Sequence, residues 1–356
     1  MEKKRSNFTS KIGFVLAAAG SAVGLGNLWR FPYLAAKYGG GIFLLVYIIL
    51  AVTFGFALMI GEIAIGRKTG LSAIGAFRKL DKRFTFIGYL AALVPIIIYP
   101  YYSVIGGWVV KYCTVFLTGE ATLAAEDSYF GSFIGQIGQP LLWLSVFLLA
   151  TAIIVLLGVN KGVENASKFL MPLLVILTIG IAIYSVTLPG ADEGMIYYLK
   201  PNFEHFSIKT IVAAMGQLFY SMSLAMGIMI TYGSYMKKDT NLEASVSQIE
   251  IFDTAIAFFA GMMIVPAVFV FNGGDGAAIN AGPGLMFSTL PKVFNTMPMG
   301  NIIGLLFFIL VLFAALTSSI SLLETIVSII CDKLHWERKL TVIAVTLFSF
   351  ALAIPS

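Results

Sequence analysis

The stretch Gly20–Pro32, GSAVGLGNLWRFP, resists regular helix, yet it lies inside an apolar run long enough to cross a bilayer. It holds Gly20, Gly24 and Gly26, and glycine costs about 1 kcal/mol per helical position relative to alanine. Pro32 cannot donate the hydrogen bond a continuous helix requires. In hydrocarbon each unsatisfied backbone group costs several kcal/mol, so a break at membrane depth survives only where it is buried in protein or lines a cavity. The stretch is expected to be a discontinuous membrane helix whose freed backbone groups bind something.

The rest of the chain provides the membrane setting. It is 59% hydrophobic and 12% charged, against about 25% charged in soluble domains. Many apolar runs reach the roughly 20 residues needed to span a bilayer, and the alternating pattern of a membrane β-barrel is absent. The expectation is an all-α polytopic membrane protein. The first run lacks a small-residue cleavage site and is followed at once by a second, so it reads as a span rather than a leader. Cys113 and Cys331 fall near opposite ends of the span pattern and are expected to be free thiols. His205 and His335 lie in or beside loops, giving no metal cluster, and no nucleophile–base pair marks an enzyme.

Nine spans are expected, at roughly Lys11–Lys37, Gly41–Ile65, Phe86–Leu117, Pro140–Leu157, Phe169–Leu188, Ile208–Tyr235, Ser247–Phe271, Asn301–Ile330 and from Leu340. GVNKGVENASK reads as the loop that opens the fifth span. NGGDGAAINAGPGLMFSTLP reads as a folded cap rather than a solvated linker. The N-terminus and the loops after spans two, four, six and eight carry seventeen of the 23 Lys and Arg, all but Arg30, Lys37, Lys111, Lys200, Lys209 and Lys292. By the positive-inside rule the N-terminus is cytoplasmic and the protein is a multi-pass protein of the cell (inner) membrane. The net charge of +5 is thus explained by topology, and no nucleic-acid partner is expected. The ninth span holds only about fifteen apolar residues, short of a crossing, so it is expected to be incomplete.

Ionisable groups at membrane depth cost at least roughly 2.5–3.5 kcal/mol each and mark candidate sites. They are Arg30, Glu62, Asp253 and Glu324. Counting 1.5 Å per residue from the helix ends places Ser21, Asn27, Tyr102, Ser221, Thr317 and Ser318 near mid-depth, with Asp253 slightly nearer the N-terminal side. The hydroxyls have an alternative use, bonding their own backbone or joining helices. Glu62 either caps broken backbone or pairs within the bundle, and Glu324 is a candidate for lining a water path. Hydroxyl, amide, carboxylate and carbonyl oxygens suit hard cations rather than zinc or copper. The N-terminus of a half-helix suits a carboxylate.

GSAVGLGNLWRFPY, the following AAKYGGGIF, GQLFYSMSLAMG of span six and AALTSSIS of span eight resemble the neurotransmitter:sodium symporters, particularly their bacterial amino-acid members. The resemblance covers essentially the whole chain. It implies a LeuT-type fold of two inverted five-helix repeats with helices one and six broken. Residues 1–10 would form a cytoplasmic segment, 11–188 the first repeat, 189–207 an outer connection, and 208–356 a second repeat truncated in helix nine.

The resemblance also implies roles. One sodium ion would be held by the Ala22 carbonyl, Asn27, Ser221, Asp253 and the substrate carboxylate. A second would be held by the Gly20, Val23 and Ala314 carbonyls with the Thr317 and Ser318 hydroxyls. The substrate carboxylate would meet the Leu25 and Gly26 amides and the Tyr102 hydroxyl. Its side chain would face Ser21, Ala22, Ile98, Tyr220, Ser223, Met226, Ser318 and Leu322, with Ser221 close by. Arg30 would belong to an outer gate whose acidic partner lies beyond Ser356. Arg5, Asp332 and Tyr235 would form the inner gate, where Phe8 replaces the usual tryptophan. Gly162 and Pro172 match a spacing associated with unwinding of the fifth helix.

Chloride-dependent relatives carry an amide where Asp253 stands and a serine where Ala257 stands, which implies chloride-independent transport here. The expected activity is sodium-coupled symport of hydrophobic or aromatic L-amino acids by a monomer or weak dimer in the lipid bilayer. The alternative is a non-transporting amino-acid sensor with the same site. Proton coupling through Glu324 or Asp253 is a variant.

Overall fold

Alanine and glycine dominate the N-terminal half of the first span, and their small side chains let neighbouring helices close around it. In the computed structural model, which describes residues 7–272 and 282–355, Ala17, Ala18 and Ala19 are buried. The first span is a bent pair, Lys11–Ala22 and Gly26–Lys37, with 50° between its halves. Ser10 caps its start by accepting from the Gly13 amide at 3.0 Å.

Among the described residues, six further helices are long and apolar enough to cross a membrane: Gly41–Thr69, Lys82–Leu117, Gly138–Leu156, Val159–Val186, Leu242–Phe271 and Gly300–Leu334. These form the second, third, fourth, fifth, seventh and eighth spans. The sixth is split into Ile208–Ser221 and Ile228–Gly233, as the resemblance implied. The ninth helix, Arg338–Ala353, has 16 residues. Burial separates centre from rim: the eighth span is 61% buried over its most apolar stretch, the third and fourth only 33%. Rim spans present Val52, Leu93, Ile153 and Ile176 outward, apolar residues that suit lipid.

The first span's N-terminal half packs against the fifth, seventh and eighth spans, and the third span runs along the eighth. The two halves of the sixth span both lean on the second. The cap reading holds for its described part. Leu285–Thr289 and Leu290–Thr296 are helical, and buried Phe287 packs on Trp29, Trp108, Tyr112 and Phe130.

One boundary needs correction. The fifth span starts at Val159, so most of the expected GVNKGVENASK loop is helix, its first turn a wide π-turn over Val159–Glu164. The polar residues that read as loop include Glu164, which is fully buried against the chain's start. Both cysteines are free thiols, as expected.

Candidate functional site

The two helix breaks face each other and leave backbone groups without helical partners. At the first, Lys11–Ala22 ends at Val23, whose ψ of 105° takes the chain out of helix. At the second, Ser223 and Ala225 hold left-handed backbone, φ 54° and 60°, which costs a non-glycine residue about 1–2 kcal/mol. The Ala225 amide donates to Glu62 Oε1 at 2.6 Å. Glu62 therefore caps broken backbone, one of its two sequence readings.

Between the breaks lies a small cavity. All twelve residues nominated for substrate contact line it, together with Gly24, Ile228 and Ser321. The Leu25 amide donates to the Tyr102 hydroxyl at 3.4 Å, so an amide and a hydroxyl converge on one wall. The Ser21 hydroxyl donates to Ser321 at 2.7 Å, and its carbonyl accepts from Ser223 at 3.1 Å. The apolar wall is Ile98, Met226, Ile228 and Leu322, with the Tyr220 ring.

Two oxygen clusters flank the cavity. In the first, the fully buried Asp253 carboxylate accepts from Asn27 Nδ2 at 2.8 Å, Ser221 Oγ at 2.7 Å and the Tyr47 hydroxyl at 3.1 Å. Asn27 Oδ1 in turn accepts from the Gly24 amide at 3.1 Å, fastening the break to this cluster. In the second, Ser318 Oγ lies 3.4 Å from the Gly20 carbonyl and 3.3 Å from those of Ser21 and Val23. A hydroxyl has one proton, so it cannot satisfy three carbonyls together. Thr317 Oγ1 donates to the Ala314 carbonyl at 3.1 Å nearby. Gly20 permits the approach, since a Cβ there would lie 3.1 Å from Thr317 Cβ. The surplus of acceptors, with one carboxylate in the first cluster, suits a hard cation. No group of three His, Cys, Asp or Glu able to hold a metal occurs among the described residues.

The nominated gate residues have these surroundings. Arg30 donates to the Gly216 carbonyl at 3.1 Å and Gln217 Oε1 at 3.0 Å, and lies over the Tyr220 ring. The Tyr235 hydroxyl donates to Glu324 at 2.7 Å, and the Ser72 amide donates to Asp332 at 2.8 Å. Phe8 is buried edge-on to Phe14, Tyr232 and Tyr235. Arg5 lies outside the described residues. Glu324, a candidate for a water path, is fully buried in an ion pair with Arg338. Gly162 has a packing role, because a Cβ there would lie 1.9 Å from the Ile154 carbonyl of the fourth span, and Pro172 lies inside Asn165–Val186.

Sequence reasoning missed Tyr47, Gln217 and Ser321. Gln217 donates to the Gly26 carbonyl at 2.9 Å and also holds Arg30, so it ties the two breaks together. Its signal was available: an amide four residues before Ser221 in an otherwise apolar span. Tyr47 carried none beyond being the polar-tipped residue of GIFLLVYIIL.

The model of the Sodium:neurotransmitter symporter family matches residues 5–130 and 128–356. The chain is 37% identical over 359 residues to the sodium-dependent transporter YhdH of Bacillus subtilis, covering 99% of this chain and 79% of that one. It is 35% identical over 351 residues to a sodium-dependent transporter of Haemophilus influenzae, covering 94% and 76%. Its fold is similar to the crystal structure of MhsT in complex with L-phenylalanine: TM-score 0.90, 40% identity, 99% of this chain and 80% of that chain.

Proposed function

This chain belongs to the sodium:neurotransmitter symporter family, and we propose that it carries hydrophobic or aromatic L-amino acids into the cell with two sodium ions, independently of chloride. At the coarser level it is a sodium-dependent transporter, a secondary carrier rather than an enzyme. One observation carries the finer reading: the cavity and both oxygen clusters abut the same short break, Gly20 to Asn27. An ion at either cluster would stiffen the backbone that contacts the solute, which is how ion binding and solute binding come to depend on each other.

The roles follow. Ala22, Asn27, Ser221 and Asp253 hold one ion beside the substrate carboxylate; Gly20, Val23, Ala314, Thr317 and Ser318 hold the other. Leu25, Gly26 and Tyr102 take the carboxylate. Ile98, Tyr220, Met226 and Leu322 border the side chain, and flexible Met226 admits several sizes. A relative crystallised with L-phenylalanine supports this class. Asp253 supplies fixed negative charge, and Ala257 offers no hydroxyl to chloride.

The N-terminus lies on the cytoplasmic side of the cell membrane. The two half-broken spans act as hinges for alternating access, with Arg30 on the outer side and Arg5, Tyr235 and Asp332 on the inner. Local unwinding between Gly162 and Pro172 opens the inner path. Two charges moving down 100 mV release about 4.6 kcal/mol, enough for about three decades of accumulation. A monomer or weak dimer suffices.

A thermal-shift screen of the twenty amino acids in sodium and in potassium tests the substrate class. A ligand at 100 times its Kd stabilises by about 2.7 kcal/mol. Hydrophobic and aromatic L-amino acids are expected to raise Tm by a few degrees in sodium only. Equal shifts in potassium, or shifts confined to charged amino acids, contradict the reading.

A further inference from the structure

The hydroxyls of Ser21, Ser223 and Ser321 line the cavity from the first, sixth and eighth spans, and all three residues are buried. A hydroxyl has one proton to give and two lone pairs to offer, so the protons can be counted. Ser321 donates to the Ser318 carbonyl at 2.8 Å, Ser21 donates to Ser321 at 2.7 Å, and Ser223 donates to the Ser21 carbonyl at 3.1 Å. All three protons are spent on the protein. The Ser21 and Ser223 oxygens lie 3.2 Å apart, and neither has a proton left to join them. The trio therefore offers the cavity acceptors and no donor.

The trio stands apart from the wall where the Leu25 amide meets the Tyr102 hydroxyl. The Ser318 and Tyr102 hydroxyls both border Gly24, since a Cβ there would lie 2.5 Å and 3.1 Å from them. Ser321 is one turn beyond Ser318 on the eighth span, and Ser21 is about one turn before Leu25 on the first, so each is roughly 5 Å along its helix from that wall. Ile98, Met226, Ile228, Leu322 and the Tyr220 ring make the surface between apolar. Among the described residues no charged side chain lines the cavity. A cationic side chain would be buried there without a counter-charge, which is strongly unfavourable. An apolar tip leaves the lone pairs without a donor, and a site built to bond a substrate N–H or O–H rejects the analogue that lacks it.

We propose that Ser21 and Ser321 are specificity-determining residues that favour aromatic amino acids carrying a neutral donor, the indole N–H of tryptophan or the phenol O–H of tyrosine. Phenylalanine binds at the same place, more weakly. The inference rests on the functional reading and narrows its substrate class.

The test is isothermal titration of the full chain in sodium with two ligand pairs. One is tryptophan against its benzothiophene isostere, in which sulfur replaces the N–H; the other is tyrosine against phenylalanine. The donor-bearing member is expected to bind at least about fivefold more tightly in one pair or both, the scale of one neutral hydrogen bond. Ser21→Ala combined with Ser321→Ala is expected to keep less than about half of that ratio, because the donor-bearing member loses its acceptors. Smaller wild-type ratios in both pairs overturn the proposal, whether or not the variant folds. A variant that weakens both members of a pair alike and keeps the ratio also overturns it, because the hydroxyls then serve the α-ammonium that all four ligands share. Equal binding of all four ligands removes this inference and leaves the functional reading standing. If no amino acid binds in sodium, the functional reading fails and the inference fails with it.

Discussion

Asp253→Asn weakens sodium-dependent binding about a hundredfold, and chloride does not restore it. The carboxylate is fully buried and held by Asn27, Ser221 and Tyr47. Removing one partner of a buried charge pair costs about 3–5 kcal/mol, which is two decades or more at 1.4 kcal/mol per tenfold. The asparagine amide would also point N–H groups at donors already present. Ala257, one turn later, is buried and has no hydroxyl for an anion. Wild-type uptake should therefore change less than a few-fold when gluconate replaces chloride. Asp253→Asn combined with Ala257→Ser should regain part of the loss, and only in chloride. Uptake assays in paired chloride and gluconate buffers check both. A chloride-dependent wild type, or a single variant with unaltered sodium affinity, contradicts the assignment.

Gly24→Ala should lower amino-acid binding more than a hundredfold without unfolding the protein. Gly24 does not hold positive φ, so alanine suits its backbone, and such a change costs an unfolded chain entropy rather than harming the fold. The conflict is one of space. A Cβ would lie 2.5 Å from Ser318 Oγ and 3.1 Å from the Tyr102 hydroxyl. The methyl would thus intrude on the three-carbonyl cluster and on the hydroxyl beside the Leu25 amide together. Gly61→Ala is the control, since nothing lies within 4 Å of its Cβ. Isothermal titration in sodium, with Tm of the ligand-free protein alongside, reads both quantities. Retained affinity in Gly24→Ala would mean the cavity at this break is not where the solute binds.

The Gly20–Pro32 break was legible because glycine, proline and asparagine are chemically out of place in a bilayer-spanning run. The same logic found Asp253 and the Thr317–Ser318 pair. Legibility ended where a residue's meaning depends on a distant partner. Glu164 sits among polar residues that read as loop, and its main donor, Thr9, is 155 positions away. Tyr47 lies in an apolar run, where a tyrosine serves packing as readily as it serves a carboxylate on the seventh span. Glu324 read as a candidate water-path residue, and nothing in the sequence pointed to its pairing with Arg338. Spans follow from composition; pairings between spans do not.

The most direct measurement is uptake of labelled L-phenylalanine into proteoliposomes under an inward sodium gradient. The account predicts transient accumulation above equilibrium that disappears when the gradient is collapsed with a sodium ionophore. Saturable sodium-dependent binding of L-phenylalanine without accumulation would contradict it and identify the protein as a sensor.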